Sequence, residues 1–134
     1  MNINQQVVIK KPRLIMFDLD GTLVDSVPDL AYAVDTMLVE LDRPAAGLDK
    51  VQRWVGNGAA MLVKRALTGM MVPLEIDESV YQNAYSLFLE NYQKINGKQS
   101  TLYPGVAKVL TYLRREFPYL ALITNKPKQF INMV

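Results

Sequence analysis

Two aspartates, Asp18 and Asp20, stand two residues apart in Asp18-Leu19-Asp20-Gly21-Thr22, directly after the short apolar run Leu14-Ile15-Met16-Phe17. A run this short, closed by a glycine, predicts a strand buried on both faces. Spacing of two puts both carboxylates on one side of an extended chain. In parallel α/β sheets, ligand sites lie at the carboxyl ends of strands. Gly21 lets the backbone turn sharply, so that several N–H groups can face one anion. Leu19 and Gly21 are the candidate phosphate contacts in this turn. Two carboxylates so close repel each other unless a cation sits between them, and all-oxygen ligation favours Mg²⁺. An anionic substrate would need the same neutralisation. The parts fit phosphoryl transfer: a carboxylate attacks phosphorus, a metal and N–H groups hold the phosphoryl oxygens, and a second carboxyl group protonates the leaving oxygen.

Composition narrows the chemistry further. The 134 residues contain no histidine and no cysteine, which excludes a Ser-His-Asp triad, a thiol nucleophile, a disulfide and the common zinc sites. Acid–base work falls to Asp, Glu, Lys or Tyr. A second apolar run, Tyr119 to Ile123, ends in Thr124-Asn125-Lys126-Pro127. A hydroxyl and an N–H beside a helix start make a phosphate seat, although Thr124 serves equally well as a plain helix cap. By average composition, Asp-x-Asp-Gly-Thr arises by chance in roughly one chain in a thousand of this size. An Asp-rich turn that merely caps a helix is therefore the weaker reading.

The rest of the chain must position these two strand ends. Residues Met1 to Gln6 are polar and read as loose. After the first strand, Ser26 is placed to cap a helix, with Asp29 in the capping-box position. Val27, Leu30, Ala31, Val34, Met37, Leu38 and Leu41 form its apolar face. A short helix is expected over 48–55, a tight loop at Gly56-Asn57-Gly58, and a third helix carrying Ala59, Leu62, Val63, Ala66 and Leu67. A long fourth helix carries Val80, Ala84, Phe88 and Ile95, with Tyr81, Tyr85 and Tyr92 beside them, and closes at Asn96-Gly97. Pro104-Gly105 opens a fifth helix, Pro118 stops it, and Pro127 suits the first turn of another. Strand, four helices, helix, strand is an α/β unit with a helical insertion.

Fifteen basic residues against thirteen acidic ones give a net charge of +2, too weak to argue for nucleic acid or an anionic membrane. Lys10-Lys11-Pro12-Arg13 reads as a solvated lead-in to the first strand. No stretch approaches the ~20 apolar residues that span a bilayer, and the N-terminus does not read as a secretory signal. The default expectation is a cytoplasmic protein.

These residues resemble the haloacid dehalogenase superfamily of phosphohydrolases. The resemblance covers 14–26, a helical cap, Leu102-Tyr103-Pro104-Gly105 and 123–127. It is nearest to the phosphoglycolate phosphatase branch, through 18–26 and Trp54-Val55-Gly56-Asn57-Gly58. It implies a Rossmann-like core, 1–24 and 98–134, with a helical cap, 25–97, that closes over the site. It implies Asp18 as nucleophile and Asp20 as general acid, then base. Mg²⁺ would be held by the Asp18 carboxylate and the Asp20 backbone carbonyl, and the phosphoryl group by Thr124 and the Asn125 N–H. Arg53, Gly56, Asn57 and Gly58 are the cap candidates for substrate choice; Trp54 reads as cap core, Lys64 as solvated and Asp25 as a helix cap. A small phosphorylated organic acid is the expected partner, with a sugar-phosphate mutase, a pyrophosphatase or a non-catalytic metal- or phosphate-binding fragment as alternatives.

The family also uses a later lysine and later acidic metal ligands. No Asp or Glu follows Glu116, and Lys126 belongs to the second motif rather than to that lysine. The chain therefore reads as the N-terminal part of a longer enzyme with an incomplete core, weak activity by itself, and exposed apolar faces that predict self-association.

Overall fold

The computed structural model describes residues 10–133, so the expectation for Met1 to Gln6 lies outside the described residues. The order is β1 (Leu14–Phe17), β2 (Val24–Asp25), α1 (Val27–Glu40), α2 (Leu48–Trp54), α3 (Gly58–Thr68), α4 (Glu78–Ile95), β3 (Thr101–Leu102), α5 (Val106–Glu116), β4 (Tyr119–Leu122) and a 3₁₀ turn (Lys128–Met133). The two apolar runs pair in parallel, Leu14 opposite Tyr119 and Phe17 opposite Leu122. The Ile123 N–H donates to the Phe17 carbonyl at 2.7 Å, which carries the pairing to the edge of both motifs.

The helices α1 to α4 follow the apolar spacing of the sequence. Val34 and Met37 of α1, Val51 of α2, Val63 of α3, and Ala84 and Phe88 of α4 are completely buried in one cluster, with Trp54 at its edge. Burial of each of the larger side chains is worth roughly 1.5–3 kcal/mol, so this cluster holds the helical layer together. Asp77 caps α4 by accepting from the N–H groups of Ser79 and Val80 at 2.9 and 3.3 Å. Those bonds, with one from the Ser79 hydroxyl first among them, hold its carboxyl below the usual carboxylate range. The helix α3 stops at Gly69, which takes the left-handed conformation that glycine tolerates.

Three expectations are corrected. The strand β1 is not buried on both faces: Leu14 and Met16 are 46 % and 58 % exposed, because within the described residues β4 is its one partner and nothing covers that face. Pro127 introduces a 3₁₀ turn, not an α-helix. Its Phe130 is buried in the helical cluster, against the edge of the Tyr92 ring at 4.8 Å. The capping box does not form. Ser26 stands at the N-cap of α1, but its hydroxyl makes no hydrogen bond, and Asp25 offers only a long contact to the Val27 N–H at 3.4 Å.

Asp29 is used elsewhere. It is fully buried and accepts from the N–H groups of Gly97, Gln99 and Ser100 at 2.9, 2.9 and 3.1 Å, and from the Ser100 hydroxyl. The chain leaving α4 has no helical partners for these N–H groups, and one carboxylate satisfies them together. This strap lies next to the antiparallel β2–β3 ribbon, where Val24 pairs with Leu102. Both crossings between the sheet and the helices are thus tied down within a few residues. Strands of two residues are too short for a sequence pattern to reveal.

Replacing Asp29 by Ala strands these N–H donors in a buried place. The expected loss is about 3 kcal/mol of stability, since each unsatisfied buried donor costs ~1–3 kcal/mol. Denaturant unfolding measures it, and a loss under about 1 kcal/mol would contradict the strap.

Candidate active site

Parallel pairing of β1 with β4 brings the ends of both strands to one edge. Asp18, Asp20, Thr124, Asn125 and Lys126 all line one cavity, partly open to solvent. The turn after β1 is built on the Leu19 carbonyl, which accepts from the N–H groups of Thr22, Leu23 and Val24 at 3.2, 3.0 and 3.0 Å. The Gly21 N–H donates to the Val24 carbonyl at 2.9 Å, at a positive φ of 80°. Neither Leu19 nor Gly21 lines the cavity, and the Gly21 N–H is committed within the turn instead of facing an anion. Asp18 is exposed and Asp20 is half-buried.

At the second strand end, the Thr124 hydroxyl accepts from the Lys126 N–H at 3.1 Å, which folds 124–126 into a tight turn. That turn sends the Lys126 side chain inward, where its ammonium is almost completely enclosed. It meets Asp20 Oδ1 at 3.1 Å and the Tyr92 hydroxyl. The cation expected to relieve the repulsion between the two aspartates is therefore supplied, on the Asp20 side, by the protein itself. A buried ammonium is costly unless paired and hydrogen-bonded, and here it has both partners.

The roof of the cavity comes from the helices: Val55 and Gly56 after α2, Gly58, Ala59 and Leu62 of α3, and Phe88 and Tyr92 of α4. Gly58 has φ +82°, and a Cβ there would lie 3.5 Å from the Asn125 Cβ, so the start of α3 sits directly on the second motif. Gly56 and Gly58 thus reach the cavity. Asn57 and Arg53 are exposed and do not line it. Trp54 is buried in the helical core. Lys64 is partly buried, with its ammonium 4.9 Å from the centre of the Tyr81 ring.

Lys126 and Tyr92 were not singled out as site residues in the sequence. Tyr92 falls one helical turn after Phe88, on the same buried stripe, and a tyrosine hydroxyl buried there needs a partner. That was the available signal. Phe130 left none, because 3₁₀ turns have no apolar period to read.

The donor set is oxygen-only: one exposed carboxylate, one half-buried carboxylate and backbone carbonyls. That suits a hard cation such as Mg²⁺, which commonly takes one or two carboxylates and completes its shell with water and substrate phosphate. Among the described residues no group of three or more His, Cys, Asp or Glu side chains gathers to form a cage.

Comparison with known proteins agrees with this geometry. The profile of the haloacid dehalogenase-like hydrolases matches residues 15–134, and the chain belongs to that family. It is 52 % identical over 120 residues to a phosphoglycolate phosphatase of Pseudomonas putida, covering 90 % of this chain and 44 % of that protein. It is 46 % identical over 123 residues to a phosphoglycolate phosphatase of Nitrosococcus oceani, covering 92 % of this chain and 54 % of that one. The crystal structure of a predicted phosphoglycolate phosphatase from Haemophilus somnus superposes with a TM-score of 0.76 at 38 % identity, covering 87 % of this chain and 53 % of its own. The chain spans about half the length of the curated relatives it matches.

Burial raises the Tyr92 hydroxyl pKa far above that of an ordinary tyrosine, with the negative charges of Asp20 and Asp29 adding to it. The neutral phenol is the folded form, so this contribution to stability is full below pH ~10 and declines above it, as the unfolded chain gives up its proton. Ultraviolet titration should find one tyrosine that ionises only as the circular dichroism is lost, and Tyr92→Phe should remove it. A full set of tyrosines titrating before unfolding would contradict this environment.

Proposed function

We propose that the chain carries the nucleophile, the acid–base group and the phosphate seat of a magnesium-dependent phosphate-monoester hydrolase acting on a small phosphorylated organic acid, 2-phosphoglycolate foremost. One observation carries the reading: Asp18, Asp20, Thr124 and Asn125 line one cavity at the adjoining ends of two parallel strands. Identities of 46–52 % to proteins named phosphoglycolate phosphatase support this choice of substrate.

The chemistry assigned to these residues balances. A carboxylate oxygen of Asp18 attacks phosphorus, the ester P–O bond breaks, and Asp20 gives its proton to the departing alkoxide. Asp20 then takes a proton from water as that water attacks the aspartyl-phosphate, releasing inorganic phosphate and restoring Asp18. The Thr124 hydroxyl and the Asn125 N–H hold the phosphoryl oxygens. The Asp18 carboxylate and the Asp20 carbonyl would hold Mg²⁺, which supplies charge neutralisation toward the phosphoryl group when bound. The apolar roof shields one side of the reacting centre, and Gly56 and Gly58 bring backbone close to the leaving group. Arg53 and Asn57 keep a part in substrate choice in this reading if the helices move toward the site. Cytoplasmic residence belongs to the same proposal; no helix among the described residues is long and apolar enough to cross a membrane.

Hydrolysis of 2-phosphoglycolate should exceed that of hexose phosphates and of pyrophosphate, and EDTA should abolish it. Asp18→Asn should lower kcat by about three powers of ten or more, as expected for loss of a nucleophile. A hexose phosphate or pyrophosphate turned over faster would move the reading to a mutase or a pyrophosphatase. The second reading is a module that binds metal or phosphate without turnover. Failure to hydrolyse p-nitrophenyl phosphate with Mg²⁺ would establish that alternative.

The uncovered sheet and α5, with Leu14, Met16, Val109, Tyr112 and Ile123 exposed, support self-association as part of the proposal. Sedimentation velocity should show mass rising with concentration at tens of micromolar; a single monomeric species there would remove it.

A further inference from the structure

The side chain of Lys126 is 1 % exposed, yet its ammonium joins two groups from opposite walls of the cavity. One is Asp20, which leaves β1 on the floor; the other is the hydroxyl of Tyr92, on α4 in the roof. Tyr92 itself is 2 % exposed, stacked on Phe88 at 5.6 Å and edge-on to Phe130 at 4.8 Å. Its ring needs only apolar packing. A phenylalanine would fill the same space, so the hydroxyl is there for the ammonium. With the phenol held neutral, its oxygen accepts from Lys126 and fixes the otherwise flexible four-carbon arm of that lysine. The fixed ammonium in turn fixes the Asp20 carboxylate.

We propose that Tyr92 is a helix-borne positioning residue for Asp20, acting through Lys126. The proposal rests on the reading of Asp20 as the acid–base group. General acid–base catalysis demands that the carboxyl oxygen lie within hydrogen-bond reach of the leaving oxygen, and a displacement of about 1 Å can cost ~100-fold in rate. The contact spans the cavity, so the aspartate is held in place only while α4 is seated over the strand ends. A purely structural ion pair buried in this way gains little over apolar side chains of the same size.

The test compares Tyr92→Phe, Lys126→Met and the double variant of the full 134-residue chain, with two independent readouts. In ¹³C/¹⁵N NMR spectra, Tyr92→Phe should shift the Asp20 side-chain carboxyl and the Lys126 Nζ resonances, leaving those of Val34 and Val63 in the helical core unmoved. Asp20 signals that do not move overturn the proposal, whatever the activity. In steady-state kinetics with 2-phosphoglycolate, Tyr92→Phe should lower kcat about 10-fold and change KM less than about twofold, the size of one charge-assisted hydrogen bond acting on orientation. The double variant should be no slower than Lys126→Met alone, because the hydroxyl has no role without the ammonium. Unchanged kcat in Tyr92→Phe, or losses that multiply in the double variant, overturn it. If the parent chain turns over no phosphate ester, the phosphatase reading falls, and the Asp20 resonances alone decide whether Tyr92 positions that carboxylate.

Discussion

Parallel pairing of two four-residue strands is the constraint on which the site depends. Residues 18–20 and 124–126 are more than a hundred positions apart, and only the register that sets Phe17 beside Leu122 brings them to the same edge. Because side chains alternate across a strand, a slip of one residue would turn the functional groups to the opposite face. The register is held by more than the sheet. The Ile123 N–H extends the pairing one residue beyond β4, and the Lys126 ammonium then reaches across to Asp20. The chemistry and the fold share those contacts, and loss of either would loosen the other.

The helical layer is fastened to this edge by polar contacts as well as by packing. Asp29 gathers the N–H groups of the turn between α4 and β3, Asn96 donates to the Phe130 carbonyl at 2.8 Å, and Tyr92 meets Lys126. Each lies among buried groups, where a lost partner costs more than a formed bond contributes. An apolar interface would slide; these contacts specify one placement of the helices over the cavity.

Much of this was legible in the sequence. The apolar period gave the four helices nearly to the residue, and the two buried-looking runs gave both strands, because these features depend on local spacing. That Asp18, Asp20, Thr124 and Asn125 could meet at one edge was legible as well, since neighbouring parallel strands end on the same side. What escaped was set by distant partners. Asp29 fits a capping position by its nearest neighbours, yet its oxygens serve Gly97, Gln99 and Ser100. Lys126 and Tyr92 were read as a motif residue and an apolar flank, and their roles arise only from each other. The exposure of Leu14 and Met16 was misread because a continuous apolar run records what a strand can bury, not what covers it.

Lys126 shows how charge in this cavity is divided. Asp20 has an internal counter-ion in Lys126, whereas Asp18 is exposed and forms no ion pair among the described residues. That asymmetry suits two carboxylates with different tasks. In the proposed mechanism the attacking carboxylate, Asp18, is the exposed one, and the proton-exchanging carboxylate, Asp20, is the one held by Lys126. Equal environments would leave the two acids interchangeable; one enclosed lysine is enough to make them different.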